Sequence, residues 1–446
     1  MKGFVISGAG SGVGKTSVTT GILSLLSKKY KVQAFKAGPD FIDPMYHTAA
    51  TGRRSRNLDS FMLSDEKIRN VAGYASKDAD LIVVEGVRGL YEGFQGDGDI
   101  GSTAYIAKLL GLPVVLVLDA GSLTRSLAAI INGFKSFDPE VKIAGVILNK
   151  VSGPQHSEKL DVAMSTYCKD VKVVGKVRKD RDNVLGQRYL GLHTLHSFEK
   201  GEIEPLERLV DPLDLDILMG IADETETDLP TGTPYVQRKV SMTAAVPVDD
   251  AYSFYYAENL ECLEASGIKV KMFRPTDGER LPEADMVYLG GGYPELYADR
   301  ISQNRDFLEG VRNMSQEGRP VYGECGGLMT MCSSLKDKNG VSYPMAGVFD
   351  AEAEMVGVRH GPTYVLADAN TDNPLFKGPV RGHEYHYSEV KCRDPVFGFD
   401  VKRGLGISGG KDGLVKGNSV GAYMHQHALS SDDWAKGFAD AVQRSE

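Results

Sequence analysis

The sequence predicts two α/β domains in series, an N-terminal parallel sheet built around a phosphate-binding loop and a C-terminal α/β domain carrying a nucleophile. Three observations point there. Short apolar runs alternate with amphipathic stretches twice over; a Gly-rich loop ending in Lys-Thr follows the first apolar run; and residues 222–239, ADETETDLPTGTPYVQRK, break the alternation with an acidic, then Pro-, Thr- and Gly-rich stretch that has no apolar period. The expected division is a synthetase domain over 1–222, a linker over 223–239 and a second domain over 240–446.

In chain order, strands are expected at 3–7, 32–36, 81–85, 114–119, 144–149 and 171–177, with helices at 17–27 and 122–134. Helices between successive strands imply a parallel, helix-covered sheet. After the linker the alternation restarts with strands at 241–246, 269–273, 286–289 and 320–323 and helices at 255–266 and 304–317. At 446 residues the chain is about three times the commonest domain size, so one core does not suffice. The 51 basic and 60 acidic side chains give a net charge of −9, with no dense Lys/Arg block, which excludes a nucleic-acid track or an anionic membrane as the main partner. Five cysteines without a CxxC pair form no disulfide framework, and no apolar run approaches a bilayer span; the expectation is a soluble protein of the reducing cytoplasm.

The loop Gly8-Ala9-Gly10-Ser11-Gly12-Val13-Gly14-Lys15-Thr16 sits between a strand and an apolar helix. Backbone N–H groups at Gly10, Gly12 and Gly14 can wrap a β-phosphate, Lys15 neutralises β and γ oxygens, and Thr16 can ligate Mg²⁺. Ala9 stands where the strict pattern has its first Gly. Lys36, Asp40 and Asp43 share a Pro-bounded loop, and Glu85 ends a strand at the sheet edge where open α/β folds bind ligands. Asp40 and Glu85 are expected to hold Mg²⁺ with Thr16, while Lys15 and Lys36 stabilise the transferred phosphoryl group. The alternative is that the two Asp cap turns and Glu85 is a solvated strand end.

In the second half, 319–328 reads as strand, sharp turn, helix, with Cys325 at the turn; this elbow exposes a nucleophile and aims a helix N-terminus at it, which is expected to lower the thiol pKa. The glycines after the strand at 286–289, with Gly291 and Gly292, offer N–H groups for an oxyanion hole. A base comes from His425 or His427, about 100 residues beyond the cysteine. Cys332 reads as core or as part of the following helix. Metal binding is a rival reading for His193/His196 and His383/His386, which share H-x-x-H spacing without an obvious third ligand.

Taken in order, AGSGVGKT at 9–16, KAGPDFIDP at 36–44, VEGVRGLYEG at 84–93, RYLGL at 188–192, GGGYPEL at 290–296, ECGGLM at 324–329 and RGHEYHYS at 381–388 resemble the cobyrinate a,c-diamide synthase family over nearly the whole chain. The resemblance implies an N-terminal domain of dethiobiotin-synthetase type joined to a class I-like glutamine amidotransferase. It implies Cys325 as glutaminase nucleophile, His425 as its base, and Asp40, Asp43, Glu85 and Glu92 as acidic positions of the ATP and carboxylate site, with Asp43 and Glu92 toward the substrate. Glu92 stands where many members carry Asp, Arg88 where Met is common, and His427 where class I amidotransferases usually place a Glu, so a Cys-His dyad is expected. The implied partners are ATP, glutamine and a tetrapyrrole-derived polycarboxylate, with Mg²⁺ as cofactor; a homodimer is left open. The implied reaction is amidation of the a and c acetates of cobyrinate through an acyl phosphate, with ammonia moving along a sheltered path. Nickel-sirohydrochlorin is the alternative acceptor, and cobyric acid synthase or a non-catalytic P-loop regulator the less favoured readings.

Overall fold

A computed structural model of the chain describes residues 1–179 and 203–445. The RYLGL stretch and the His193/His196 pair therefore lie outside the described residues. These fall into two compact units, one containing 1–179 and 203–234, the other 235–445.

The first unit is a seven-stranded sheet with β1 (Gly3–Gly8), β2 (Val32–Ala37), β3 (Arg56–Leu58), β4 (Leu81–Glu85), β5 (Val114–Asp119), β6 (Ile143–Val151) and β7 (Lys172–Arg178) in the order β3-β2-β4-β1-β5-β6-β7. Every neighbouring pair is parallel. β1 and β4 are buried along their whole length, as expected of central strands covered on both faces. The helix Lys15–Ser27 packs Val18, Ile22, Leu23 and Leu26 against Phe4, Ile6 and Val115, all at most 2% exposed. Each such side chain contributes roughly 1.5–3 kcal/mol by leaving water. Part of the stretch expected as linker belongs to this packing: Thr227 N–H donates to the Met1 carbonyl, and Arg69 to that of Asp228.

The second unit contains β8 (Met242–Pro247), β9 (Ile268–Phe273), β10 (Met286–Leu289), β11 (Val321–Glu324), β12 (Ser334–Lys336), β13 (Ser342–Pro344), β14 (Ala351–Ala369), β15 (Gly378–Cys392), β16 (Phe397–Arg403), β17 (Lys411–Lys416), β18 (Ser419–Ala422) and β19 (His425–Gln426). A parallel half, β9-β8-β10-β11-β18, continues through β17, β16 and β14 into an antiparallel half, and β19 pairs with β15 beyond that path. The alternation of strands and helices anticipates the parallel half. The antiparallel half, above all the long β14–β15 hairpin, goes beyond the expected elements. The helices expected at 255–266 and 304–317 form as Ala257–Ala265 and Arg305–Gln316. Cys332 ends the short helix Gly326–Met331 and is fully buried in the core.

Candidate active sites

In the first unit, strand register assembles the chemistry. Ile6 on β1 stands opposite Glu85 on β4, and Lys36 on β2 stands opposite the same Glu85. Thr16, the second residue of the helix after β1, donates its hydroxyl to Glu85 Oε1 at 2.9 Å and to Asp43 Oδ1 at 3.3 Å. Lys36 Nζ lies 2.5 Å from Asp43 Oδ2 and 3.1 Å from Glu85 Oε1. Burial opposes the Lys36 charge, but Asp43, Glu85 and Asp40 outweigh it and hold the ammonium well above its usual range. Burial and Asp43 push Glu85 up, yet Lys36 and the hydrogen bond from His47 prevail, leaving it below the usual carboxylate range.

His47 was not among the residues singled out from the sequence. Its Nε2 lies 2.6 Å from Glu85 Oε2 and its Nδ1 3.3 Å from Ser55 Oγ, with no exposed surface. The signal is faint but physical: Asp43 and His47 are four apart on the helix Ile42–Thr51, so both project from one face toward Glu85. Asp40 instead accepts the Ile42 N–H at the entry to that helix.

The phosphate loop itself uses left-handed backbone at Gly12 (φ 77°) and Gly14 (φ 95°). A Cβ on Gly14 would come within 2.3 Å of Asn149 Nδ2, which donates to the Val13 carbonyl at 2.8 Å, so glycine is required there on two counts. Gly10 has open space where a Cβ would point. Lys15 Nζ donates to the Arg88 carbonyl at 2.5 Å, and Arg88 itself adopts a positive φ of 47°. Glu92 folds back to accept the Gly89 N–H, closing the turn that follows Glu85.

Hard oxygen donors dominate this cluster. Among the described residues no three His, Cys, Asp or Glu side chains converge as a metal cage. A hydroxyl with two carboxylates fits Mg²⁺, which takes its remaining ligands from phosphate and water.

The second unit builds its site from strand ends. Glu324 on β11 pairs with Ala422 on β18, and Cys325 and His425 follow within three residues of those ends. Cys325 holds φ 49° and ψ −99°, a conformation a non-glycine residue occupies only under constraint; its N–H donates to the Ala422 carbonyl at 2.7 Å and its thiol faces the Tyr385 carbonyl at 4.0 Å. The strained residue sits at a strand-to-helix elbow, between β11 and the helix Gly326–Met331.

The Gly290–Gly292 loop runs close to His425 and to the turn after Cys325. A Cβ on Gly291 would come within 2.3 Å of His425 Cε1, and one on Gly326 within 3.2 Å of the Gly292 nitrogen. His383 pairs with His425 across β15 and β19, and their rings stack at 5.0 Å and 19°. Burial and His425 together hold His383 well below its usual pKa, so it packs as a neutral ring. His386 instead stacks on Tyr423 at 3.6 Å. Within the RGHEYHYS stretch, His383 and His386 are thus packed inward while Arg381 and Tyr385 are exposed.

The expected lowering of the thiol pKa does not occur. Burial pushes Cys325 up, Glu295, Glu324 and Asp412 add to that, and the Gly326 N–H opposes them without prevailing. A helix of six residues and one amide cannot offset desolvation plus three nearby carboxylates, so a thiolate here needs a base to remove its proton.

Comparison with known proteins agrees with this bipartite arrangement. Residues 4–185 match the family described as the CobQ/CobB/MinD/ParA nucleotide binding domain, and residues 243–433 the CobB/CobQ-like glutamine amidotransferase domain. The protein is thus a glutamine-dependent ligase, forming carbon–nitrogen bonds with glutamine as amide-nitrogen donor. Curated relatives called cobyrinate a,c-diamide synthase are similar end to end: that of Methanosphaera stadtmanae is 41% identical, covering 99% of both chains, that of Methanocaldococcus jannaschii 41%, covering 98% of both, and that of Methanothermobacter thermautotrophicus 41%, covering 97% of this chain and 98% of its own. The chain belongs to the cobyrinate a,c-diamide synthase family. Among the described residues no helix is long and apolar enough to cross a membrane.

Proposed function

We propose that the chain uses ATP and glutamine to amidate the a and c acetate carboxylates of cobyrinate through an acyl phosphate, with residues 1–222 activating the carboxylate and 240–446 releasing ammonia. The name shared by full-length relatives at about 40% identity supports the acceptor. The observation that carries the activation step is the Thr16–Lys36–Asp43–Glu85 cluster beside the phosphate loop, which fits phosphoryl transfer. An acetate oxygen attacks the γ-phosphorus of ATP, the bond to the β–γ bridging oxygen breaks, and ADP departs. Lys15 and Lys36 neutralise the phosphate oxygens during transfer. Thr16, Asp40 and Glu85 would hold Mg²⁺, which would add positive charge beside the phosphates. Glu92, on the turn beyond Glu85, positions the second acetate.

In the other half, Cys325 gives its proton to His425 as sulfur attacks the glutamine carboxamide carbon. The N–H groups of Gly291 and Gly292 stabilise the oxyanion. His425 returns the proton to the departing ammonia, and water hydrolyses the thioester to glutamate. Ammonia then attacks the acyl phosphate, the C–N bond forms and phosphate leaves. The deciding experiment offers purified protein ATP, Mg²⁺ and glutamine with either cobyrinate or nickel-sirohydrochlorin and reads product masses. A gain of two amides on cobyrinate is expected; amidation of nickel-sirohydrochlorin alone would reassign the acceptor.

A further inference from the structure

The carboxylate nearest the catalytic base is not where a class I amidotransferase would place it. Two residues beyond His425 stands His427, and its Nε2 lies 3.5 Å from Glu258 Oε2 on the helix Ala257–Ala265, in a fully buried pair. The neighbouring Asn259 locks this arrangement, donating from Nδ2 to the Gln426 carbonyl at 2.9 Å and accepting the Ala428 N–H at 2.7 Å. His427 is thereby committed to its own acid.

The carboxylate that faces His425 belongs to Glu324, the residue immediately before the nucleophile. Glu324 Oε2 lies 3.6 Å from His425 Nδ1, and both side chains are at most 2% exposed. Glu324 is held firmly on every side. The Tyr322 hydroxyl donates to Oε1 at 2.8 Å, the Gln426 N–H donates to the same oxygen at 3.1 Å, and the Tyr288 hydroxyl donates to Oε2 at 3.0 Å. Burial, with Glu324 adding to it, pushes both phenols well above their usual range, so they remain O–H donors.

We infer that Glu324 is the positioning carboxylate of the glutaminase, orienting His425 through Nδ1 and stabilising the imidazolium that forms when Cys325 loses its proton. This rests on the reading of Cys325 and His425 as nucleophile and base. The physical case is one of preorganisation. Thiol deprotonation creates a cation on a buried ring, which is costly unless an opposite charge already stands there. Glu324 is already desolvated and fixed by three donors, so it answers the new charge without moving. At 3.6 Å the contact exceeds a hydrogen bond, as is common before substrate draws a catalytic site together. An acid adjacent in sequence to the nucleophile moves with the same elbow, tying thiol, imidazole and carboxylate to the ends of β11 and β18.

The test compares Glu324→Gln, which preserves shape, in the full-length enzyme with glutamine or ammonium as nitrogen source. Glutaminase kcat is expected to fall at least about tenfold, because general-base catalysis typically supplies about 10²–10⁴ and its orientation is part of that. KM for glutamine should stay within about twofold, ammonium-dependent synthesis should be unchanged, and Glu324→Asp should recover part of the loss. A kcat for Glu324→Gln within about twofold of the parent would overturn the inference, as would equal loss with both nitrogen sources. A larger loss in Glu258→Gln would also overturn it and move the charge partner to His427. Should Glu324→Gln not fold, Tyr288→Phe removes the donor on the oxygen facing His425 and is expected to lower kcat by about threefold at constant KM; an unchanged kcat counts against the inference. Glutaminase activity surviving Cys325→Ala would instead strike down the nucleophile reading, whereas an inactive Cys325→Ala beside a normal Glu324→Gln sinks the present inference alone.

Discussion

The two units hold their reactive groups by opposite means. Around Glu85 in the first, opposite charges meet: the Lys36 ammonium stands against Asp43 and Glu85, His47 hydrogen-bonds Glu85, and the strands beneath them are regular. Around Cys325 in the second, the reactive group is disfavoured where it sits, with a thiol pushed up by burial and a backbone at φ 49°. The difference follows from the chemistry each supports. On the proposed reading, the first cluster awaits a polyphosphate, whose transfer relies on positioning and charge stabilisation. On the same reading, the second keeps its thiol protonated until a base removes the proton.

The sharpest way to break this comparison is to remove the strained residue. Cys325→Ala should abolish glutamine-dependent synthesis and leave ammonium-dependent synthesis near the parental rate, and His425→Ala should do the same. Equal loss with both nitrogen sources, measured by product mass, would show that the thiol serves the ligase step too. If His427→Ala is the damaging change and His425→Ala mild, the base has been misassigned within the pair. Next in size is Lys15→Ala, expected to lower ATP-dependent amidation by at least about a hundredfold while glutamine hydrolysis continues; parallel assays of ADP and glutamate decide it.

A smaller effect is expected from Gly291→Ala. Its methyl would meet His425 Cε1 at 2.3 Å, so the imidazole must shift, and glutaminase kcat should fall by roughly tenfold while ATP-driven synthesis from ammonium is unaffected. A glutaminase rate equal to the parent would mean that the loop yields freely.

The smallest concerns stability. Asp412 is fully buried and accepts the N–H groups of Gly413, Tyr423 and Met424, fixing the turn just before His425. Burial pushes its pKa up to about 7, the three donors opposing. Since its folded pKa exceeds its unfolded one, the folded state keeps a proton that the unfolded chain releases, and the stability this contributes is complete below about pH 4 and lost as pH rises through about 7. Over that window the group costs at most about 1.4 kcal/mol per pH unit. Thermal melts from pH 4 to 8 should therefore fall more steeply for the parent than for Asp412→Asn; parallel curves would refute this.

What the sequence reveals follows the same divide. The phosphate loop and the cysteine elbow are local features, each needing only a strand, a few glycines and a helix, and both form where spacing predicts. Glu85 is legible as a strand end, but its contacts with His47 and Lys36 depend on which strands become neighbours. Glu324 hides beside the more conspicuous cysteine, because nothing in the chain order says that β11 will lie against β18. The β14–β15 hairpin was within reach: Ala351-Glu352-Ala353-Glu354 alternates with period two, although the glycines and the proline further along blur that rhythm.

That hairpin has a consequence for how the second unit can be taken apart. Cys325 and His425 lie on opposite sides of it in sequence, and its tip passes through the exposed residues Thr371 and Asp372. A chain severed there yields two polypeptides, one bearing the Cys325 thiol and the other the His425 imidazole. The ladder running from Ala351↔Cys392 to Ala369↔Gly378 is what would rejoin them, so the hairpin couples the two halves of the second unit across that tip.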